Sequence, residues 1–224
     1  MIWTSLQPVA DGKAELAWVR PSQTDLKPFI YLLSDDERAR AARFLNEVDR
    51  KAFIAGRVAA RLLLSERTAR SPHSIRFTYS SHGRPAVDDG PDFNISHSGD
   101  HVLVALARDP GTMIGIDAEC HDRATDLTKV ERLVLSGPEI AWLNACEDRR
   151  EAFLQLWVMK EAVLKATGTG LSTDPRMVCI NPQNASVRWT EGAPCGNWQM
   201  HQLDLQSRIT VALALFEPLA EGPG

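Results

Sequence analysis

Two carboxylates set two residues apart, Asp117 and Glu119, close the segment Gly115-Ile116-Asp117-Ala118-Glu119. An apolar stretch precedes them, and in a strand residues i and i+2 project to one side. Two hard oxygen donors so placed suit Mg²⁺, which keeps several waters and binds one or two carboxylates together with a substrate phosphate. A polar turn ending a strand is the plainer reading of the same residues. A second cluster is Trp157-x-x-Lys160-Glu161-Ala162-x-x-Lys165. Trp157, Glu161 and Lys165 follow i, i+4, i+8 and share one helix face. Glu161 could then serve a metal and Lys165 a phosphate. The alternative is an exposed Glu–Lys pair, which contributes only about 0.2–0.5 kcal/mol. The third cluster is Phe93-Asn94-Ile95-Ser96-His97-Ser98-Gly99-Asp100, preceded by Gly83-Arg84-Pro85. As a Ser/Gly turn, its backbone amides could cradle a phosphate, with the Ser96 hydroxyl and His97 imidazole as further donors. Arg84 could reach the same anion; an ordinary polar hairpin turn is the alternative. A Ser–His nucleophile pair has little support, because adjacent residues rarely align hydroxyl and imidazole, and no nucleophile elbow surrounds Ser96.

The elements that must position these groups are legible in outline. Ser34-Asp35-Asp36-Glu37 reads as a capping box opening a helix over 34–45. A second helix is expected over 49–65, with Phe53, Val58, Leu62 and Leu63 near helical spacing. Segments 75–80, 102–108 and 112–117 read as strands, as do 185–190, 198–205 and 208–216. A long helix over 148–167 stops at Gly168 and Gly170, and the tail 217–224 is expected to fray. The first two helices carry Arg38, Arg40, Arg43, Arg50, Lys51, Arg57 and Arg61, most of them on solvated faces; spacing does not select which of them binds an anion.

A weak internal repeat organises the chain. Leu33-Ser34-x-x-Glu37 recurs as Leu135-Ser136-x-x-Glu139, and Arg50-x-Ala52-Phe53-Ile54 as Arg150-x-Ala152-Phe153-Leu154. Val104-Ala105-Leu106-Ala107 recurs as Val211-Ala212-Leu213-Ala214. Three matches in one order argue for a duplicated helix-helix-strand unit, joined near 108–113, where Arg108-Asp109-Pro110-Gly111 signals a turn. The expected domains are therefore 1–110 and 111–224. A duplicated unit packs naturally about a pseudo-twofold axis with a cleft between its halves.

Composition narrows the function classes. The 224 residues are 44% hydrophobic and 24% charged, enough for a core without disulfides or structural metal. The formal charge of −4 speaks against a broad nucleic-acid-binding surface. No run of about 18 apolar residues occurs, so no membrane span is expected. The first residues lack a basic-then-apolar secretion signal. The irregularly spaced Cys120, Cys146, Cys179 and Cys195 form no C-x-x-C pair and read as reduced thiols of a cytoplasmic protein.

Taken in order, G-[KR]-P, F-N-I-S-H-S-G, G-I-D-x-E and W-x-x-K-E-[SA]-x-x-K resemble the motifs of the 4′-phosphopantetheinyl transferases. The similarity is to the large Sfp-type class, which matches in length and is built as a fused pseudodimer. The motifs cover residues 83–165. The resemblance implies an α+β (α/β two-subdomain) fold: two similar helix-plus-antiparallel-sheet halves about a pseudo-twofold axis, with the active site in the cleft. It implies transfer of the 4′-phosphopantetheine group from coenzyme A to a serine of an apo acyl or peptidyl carrier protein, releasing adenosine 3′,5′-bisphosphate. Asp117, Glu119 and Glu161 would hold Mg²⁺, with Mn²⁺ as a substitute. Asp117, Glu161 and Lys165 would be catalytic. Lys165, His97, Ser96 and Arg84 would bind the phosphates, and Arg40, Arg43 or Lys51 the 3′-phosphate. Residues 120–147 would dock the carrier protein, and the chain would act as a monomer in the cytoplasm. Three departures stand out: Arg84 replaces the usual Lys, Asp100-His101 follows the S-H-S-G segment where many relatives have an aromatic nearby, and Ala118 replaces a larger aliphatic residue. The alternatives are another Mg²⁺-dependent phosphoryl-transfer enzyme, and a non-catalytic module on the same fold that binds coenzyme A or a carrier protein.

Overall fold

The computed structural model describes residues 2–122, 127–205 and 208–219. The chain separates into two compact units, Met1–Pro110 and Gly111–Gly224. Among the described residues no helix is long and apolar enough to cross a membrane.

The first unit runs β1 (Ser5–Val9), β2 (Ala14–Val19), α1 (Asp35–Ala41), α2 (Glu47–Thr68), β3 (Thr78–Tyr79), β4 (Pro85–Ala86), β5 (Phe93–Ser98) and β6 (His101–Ala107). Four strands form an antiparallel sheet in the order β1-β2-β6-β5, while β3 and β4 pair separately. Helix α1 starts at the capping box foreseen from its sequence: the Glu37 N–H donates to Ser34 Oγ at 3.2 Å and the Ser34 N–H to Glu37 Oε2 at 2.9 Å. Helix α2 starts at Asn46, whose side chain accepts from the Val48 N–H, and ends at Ala69 in a left-handed conformation. Its apolar face, including Ala55, Val58, Ala59 and Leu63, shares one core with Ala17, Val19, Val102 and Val104 of the sheet. Gly56 sets the distance of approach, because a Cβ there would lie 3.0 Å from the Ile95 side chain.

The second unit runs β7 (Met113–Cys120), α3 (Leu127–Val134), α4 (Gly137–Asn144), α5 (Arg149–Ala166), β8 (Val178–Asn181), β9 (Ser186–Trp189), β10 (Gly196–Leu203) and β11 (Ile209–Pro218). Three strands form an antiparallel sheet in the order β10-β11-β7, and β8–β9 is a separate hairpin. Helix α5 lays Leu156, Met159, Ala162, Val163 and Ala166 into a second core with Ala212, Ala214, Val178 and Ile180. The fold is thus α+β with antiparallel sheets, and the repeat is visible in it. Capped α1 and long α2 answer capped α4 and long α5, and β6 answers β11.

Four segments differ from their sequence expectation, each for a physical reason. The strand expected over 75–80 shortens to Thr78–Tyr79. Arg61 of α2 donates to the carbonyls of Pro72 and Ile75, so that backbone bonds to a side chain in place of a ladder. The segment 93–98 is a strand and not a turn; only Gly99 and Asp100 turn the chain. Strand β7 continues through Cys120, so Asp117 and Glu119 lie within it and not at its end. Glu217 and Pro218 do not fray but pair with Asn197 and Gly196, while residues 220–224 lie outside the described residues. The strands β1 and β2, with weaker alternation, escaped the sequence reading.

Candidate functional site

Gly115, Asp117 and Glu119 alternate along β7, and the face that they share meets α5. A Cβ built on Gly115 would lie 2.0 Å from the carbonyl oxygen of Ala162 and 2.5 Å from the nitrogen of Ala166. Only glycine permits that approach, and Ala162, without a long side chain, permits it from the helix. The consequence reaches two residues further along the strand. Lys165 donates to Asp117 Oδ1 at 2.6 Å and to the Ile116 carbonyl at 3.3 Å. The alternative of a simple Glu161–Lys165 pair is therefore not what the helix forms; Lys165 reaches across to the strand. Asp117 is buried while Lys165 and Glu161 are half-buried.

Glu161 is the group out of balance. Its Oε1 atom is buried with no hydrogen-bond partner. Burial raises its pKa, the charge of Asp117 raises it further, Lys165 lowers it, and Glu119 adds a smaller push upward. Glu161 thus feels two other carboxylates and the Lys165 ammonium. Among the described residues no group of three or more His, Cys, Asp or Glu side chains is gathered as a ready metal-binding set. The donors nonetheless fit Mg²⁺ in kind: all are carboxylate oxygens, and one is buried without a partner.

In the first unit, β5 is the edge strand carrying Ser96 and His97. Being adjacent, they project to opposite faces: Ser96 is buried and His97 exposed. The picture of one Ser/Gly turn offering both side chains to one anion is therefore corrected, because a ladder with β6 engages this backbone. The turn that follows is anchored. Asp100 accepts from the Ser22 N–H at 2.7 Å, from the Ser22 hydroxyl and from Arg20 Nε at 3.2 Å. His101 Nδ1 accepts from the Trp18 indole N–H at 3.1 Å, with the rings stacked. Burial, with Arg20 as the next cause, lowers the His101 pKa and keeps the imidazole a neutral acceptor. Asp100 and His101, which read as departures from the family pattern, thus fix the end of the strand that presents His97. Arg84 lies just before β4, where its guanidinium pairs with Asp92 at 2.7 Å and donates to the Phe93 carbonyl at 3.3 Å.

A cavity of about 550 Å³ lies in the first unit beside α1 and the segment before β3. Arg40, Arg43, Arg76, His73 and Tyr79 line it, together with Asp35 and Asp36 at the start of α1. Arg40 sits 5.1 Å over the Phe53 ring, and Arg57 packs against Phe53, Phe77 and Tyr79. Arg40 and Arg43 are thus brought together at a concave basic surface. Lys51 is exposed on α2 and does not line the cavity. Sequence reasoning missed His73, Arg76 and Tyr79 as site residues: the segment 75–80 reads only as a strand, and nothing along the chain says that it faces α1 across a cavity. It also missed the role of Gly115, although a glycine inside a strand pattern is itself a signal of close approach.

Comparison with known proteins identifies the family of the chain. Residues 113–214 match the model of the 4′-phosphopantetheinyl transferase superfamily, and residues 17–109 match that of the 4′-phosphopantetheinyl transferase N-terminal domain. The chain is 34% identical to the 4′-phosphopantetheinyl transferase HetI of a Nostoc species, over 86% of this chain and 82% of that one. It is 34% identical to the 4′-phosphopantetheinyl transferase Sfp of Bacillus subtilis, over 67% of each. It is 31% identical to the L-aminoadipate-semialdehyde dehydrogenase-phosphopantetheinyl transferase of Schizosaccharomyces pombe, over 73% of this chain and 69% of that one. A holo-[acyl-carrier-protein] synthase structure from Thermotoga maritima overlays on 48% of the chain with a TM-score of 0.41 and 23% identity. With two family models covering both units, and relatives matched over most of their own length, the chain belongs to the 4′-phosphopantetheinyl transferase family and is an enzyme of the transferase class.

Proposed function

We propose that the chain transfers the 4′-phosphopantetheine group of coenzyme A to a serine of an apo acyl or peptidyl carrier protein. The observation that carries this reading is the β7–α5 constellation of Asp117, Glu161 and Lys165, built on the Gly115–Ala162 contact. In the reaction the serine oxygen forms a bond to the β-phosphorus. The bond from that phosphorus to the bridging pyrophosphate oxygen breaks, and adenosine 3′,5′-bisphosphate leaves. The serine proton needs an acceptor, and Glu161 is our candidate, since burial and neighbouring carboxylates raise its affinity for a proton. Asp117, Glu119 and Glu161 would hold Mg²⁺, or Mn²⁺ in its place. When bound, such an ion offsets charge on the pyrophosphate oxygens.

Lys165 supplies direct positive charge to the same phosphates, and Asp117 holds its ammonium in place until substrate arrives. His97, exposed on β5, donates to a phosphate, while Arg84, paired with Asp92, holds the start of that strand. Arg40 and Arg43 at the basic cavity are assigned to the 3′-phosphate of coenzyme A; Lys51, outside that cavity, is left out of this assignment. The stretch 120–147 is proposed to dock the carrier protein, with residues 123–126 outside the described residues. The reading includes a single chain as the working unit, in the cytoplasm.

Mass spectrometry tests it. Apo carrier protein incubated with the chain, coenzyme A and Mg²⁺ should gain one phosphopantetheine, and the gain should be lost on chelation. An unmodified carrier from each of several synthase types would overturn the proposal.

A further inference from the structure

The two units share one buried device. In the first, the capping carboxylate Glu37 accepts from Arg61 at 2.8 Å, and Arg61 also donates to the carbonyls of Pro72 and Ile75. In the second, the capping carboxylate Glu139 pairs with Lys160 at 2.9 Å, and Lys160 also donates to the carbonyls of Pro175 and Val178. Matching the units on these groups sets Arg40 against Trp142, Arg76 against Cys179, Phe77 against Ile180 and Tyr79 against Pro182. In the first unit those residues wall the basic cavity. In the second, the matched residues wall a cavity of about 500 Å³ between α4 and the β8–β9 hairpin. One frame has been kept and its lining exchanged: two arginines give way to tryptophan and cysteine, and two aromatic residues to isoleucine and proline.

From this we infer that the second cavity is a binding site for a small apolar monoanion: a flat ring or short alkyl chain carrying one carboxylate or sulfonate. Its size lies in the range of small-molecule sites, about 300–1,000 Å³. Trp142, Trp189, Ile180 and Pro138 offer apolar and aromatic faces. One group asks for an acceptor: Arg188 on β9 lines the cavity and has no carboxylate paired with it among the described residues. The acid in the wall, Glu139, does not repel an anion. Its Oε1 accepts from the Ile180 N–H, and its Oε2 accepts from the Ser136 N–H and hydroxyl and pairs with Lys160. A phosphate dianion, by contrast, would find one arginine here where the first cavity offers several.

Pro138, Glu139 and Trp142 of its wall belong to the stretch proposed to dock the carrier protein, so binding is tested apart from transfer, on the full chain with 8-anilinonaphthalene-1-sulfonate as probe. One probe molecule should bind per chain, with a dissociation constant that excess coenzyme A leaves unchanged. Arg188→Glu, an exposed change that spares the core, should weaken binding at least tenfold. In the unaltered chain, the probe should slow alkylation of Cys179, which lines the cavity, and leave exposed Cys195 unprotected. Absence of binding, displacement by coenzyme A, indifference to Arg188→Glu, or an unprotected Cys179 would each overturn the inference.

Discussion

Gly115→Ala is the sharpest perturbation of the proposed site, because it adds one methyl group and changes no charge. The new Cβ would stand 2.0 Å from the Ala162 carbonyl oxygen and 2.5 Å from the Ala166 nitrogen. Both are backbone atoms of α5, so no side chain can swing aside. Non-bonded carbon and oxygen atoms settle at roughly 3 Å or more, so helix and strand must part by about 1 Å or more. Overpacking of a filled core costs about 1–3 kcal/mol, and a rigid helix on a sheet places this change at the upper end. Function should suffer separately from stability. The Lys165–Asp117 contact of 2.6 Å spans the same seam and would open with it. A misplacement of about 1 Å in a catalytic geometry can cost about a hundredfold in rate. Urea denaturation should show a loss near 3 kcal/mol, and carrier-protein modification should slow about a hundredfold at a temperature where the variant is still folded. Gly137→Ala is the control for stability, because a Cβ there meets nothing within 4 Å, and it should unfold in urea near the parent's midpoint. Parental stability and rate in Gly115→Ala would refute the claim that this contact positions the site.

Glu161→Gln should raise the unfolding midpoint measured in chelator at neutral pH. The folded pKa of Glu161 lies above the ordinary 4.5, so its stabilising contribution is full below that value and is lost as pH rises through the folded pKa. The gain from the amide should accordingly vanish in acid; a midpoint lower than the parent's at pH 7 would contradict the assignment. The same variant should lose most of kcat, as the amide is neither a base nor a strong metal ligand. Lys165→Ala should slow transfer by about 10²–10³, as loss of a preorganised charge does. It should also move the acid limb of the pH–rate profile to higher pH, because Lys165 holds the Glu161 pKa down. A profile at the parental position would sever Lys165 from Glu161. His97→Ala should raise KM for coenzyme A more than it lowers kcat, the mark of lost uniform binding; a fall in kcat alone would give the imidazole a transition-state role.

The sequence by itself determined the local elements and the candidate chemistry. Ser34 with Glu37 fixed a helix start because capping needs only neighbours in the chain, and the same holds for the helix that ends before Gly168. The motif residues Asp117, Glu119, Glu161 and Lys165 were legible because strand and helix periods say which side chains share a face. The duplication was legible too, since Val104–Ala107 and Val211–Ala214 repeat in order. Pairing across elements was not. Spacing alone joined Glu161 to Lys165, whereas packing gave Lys165 to Asp117, 48 positions away. Residue types made 93–98 part of a Ser/Gly turn, whereas the ladder with β6 made it a strand and sent Ser96 and His97 to opposite faces. The expected strand over 75–80 lost its first residue's carbonyl to Arg61, a residue on another element whose guanidinium also holds the Pro72 carbonyl just before it. Such choices depend on which distant groups compete for one donor or one backbone, and a period read along the chain carries no term for that competition. Only the tertiary structure supplies it, and here it decided the partners of the charged groups more than the identity of the groups themselves.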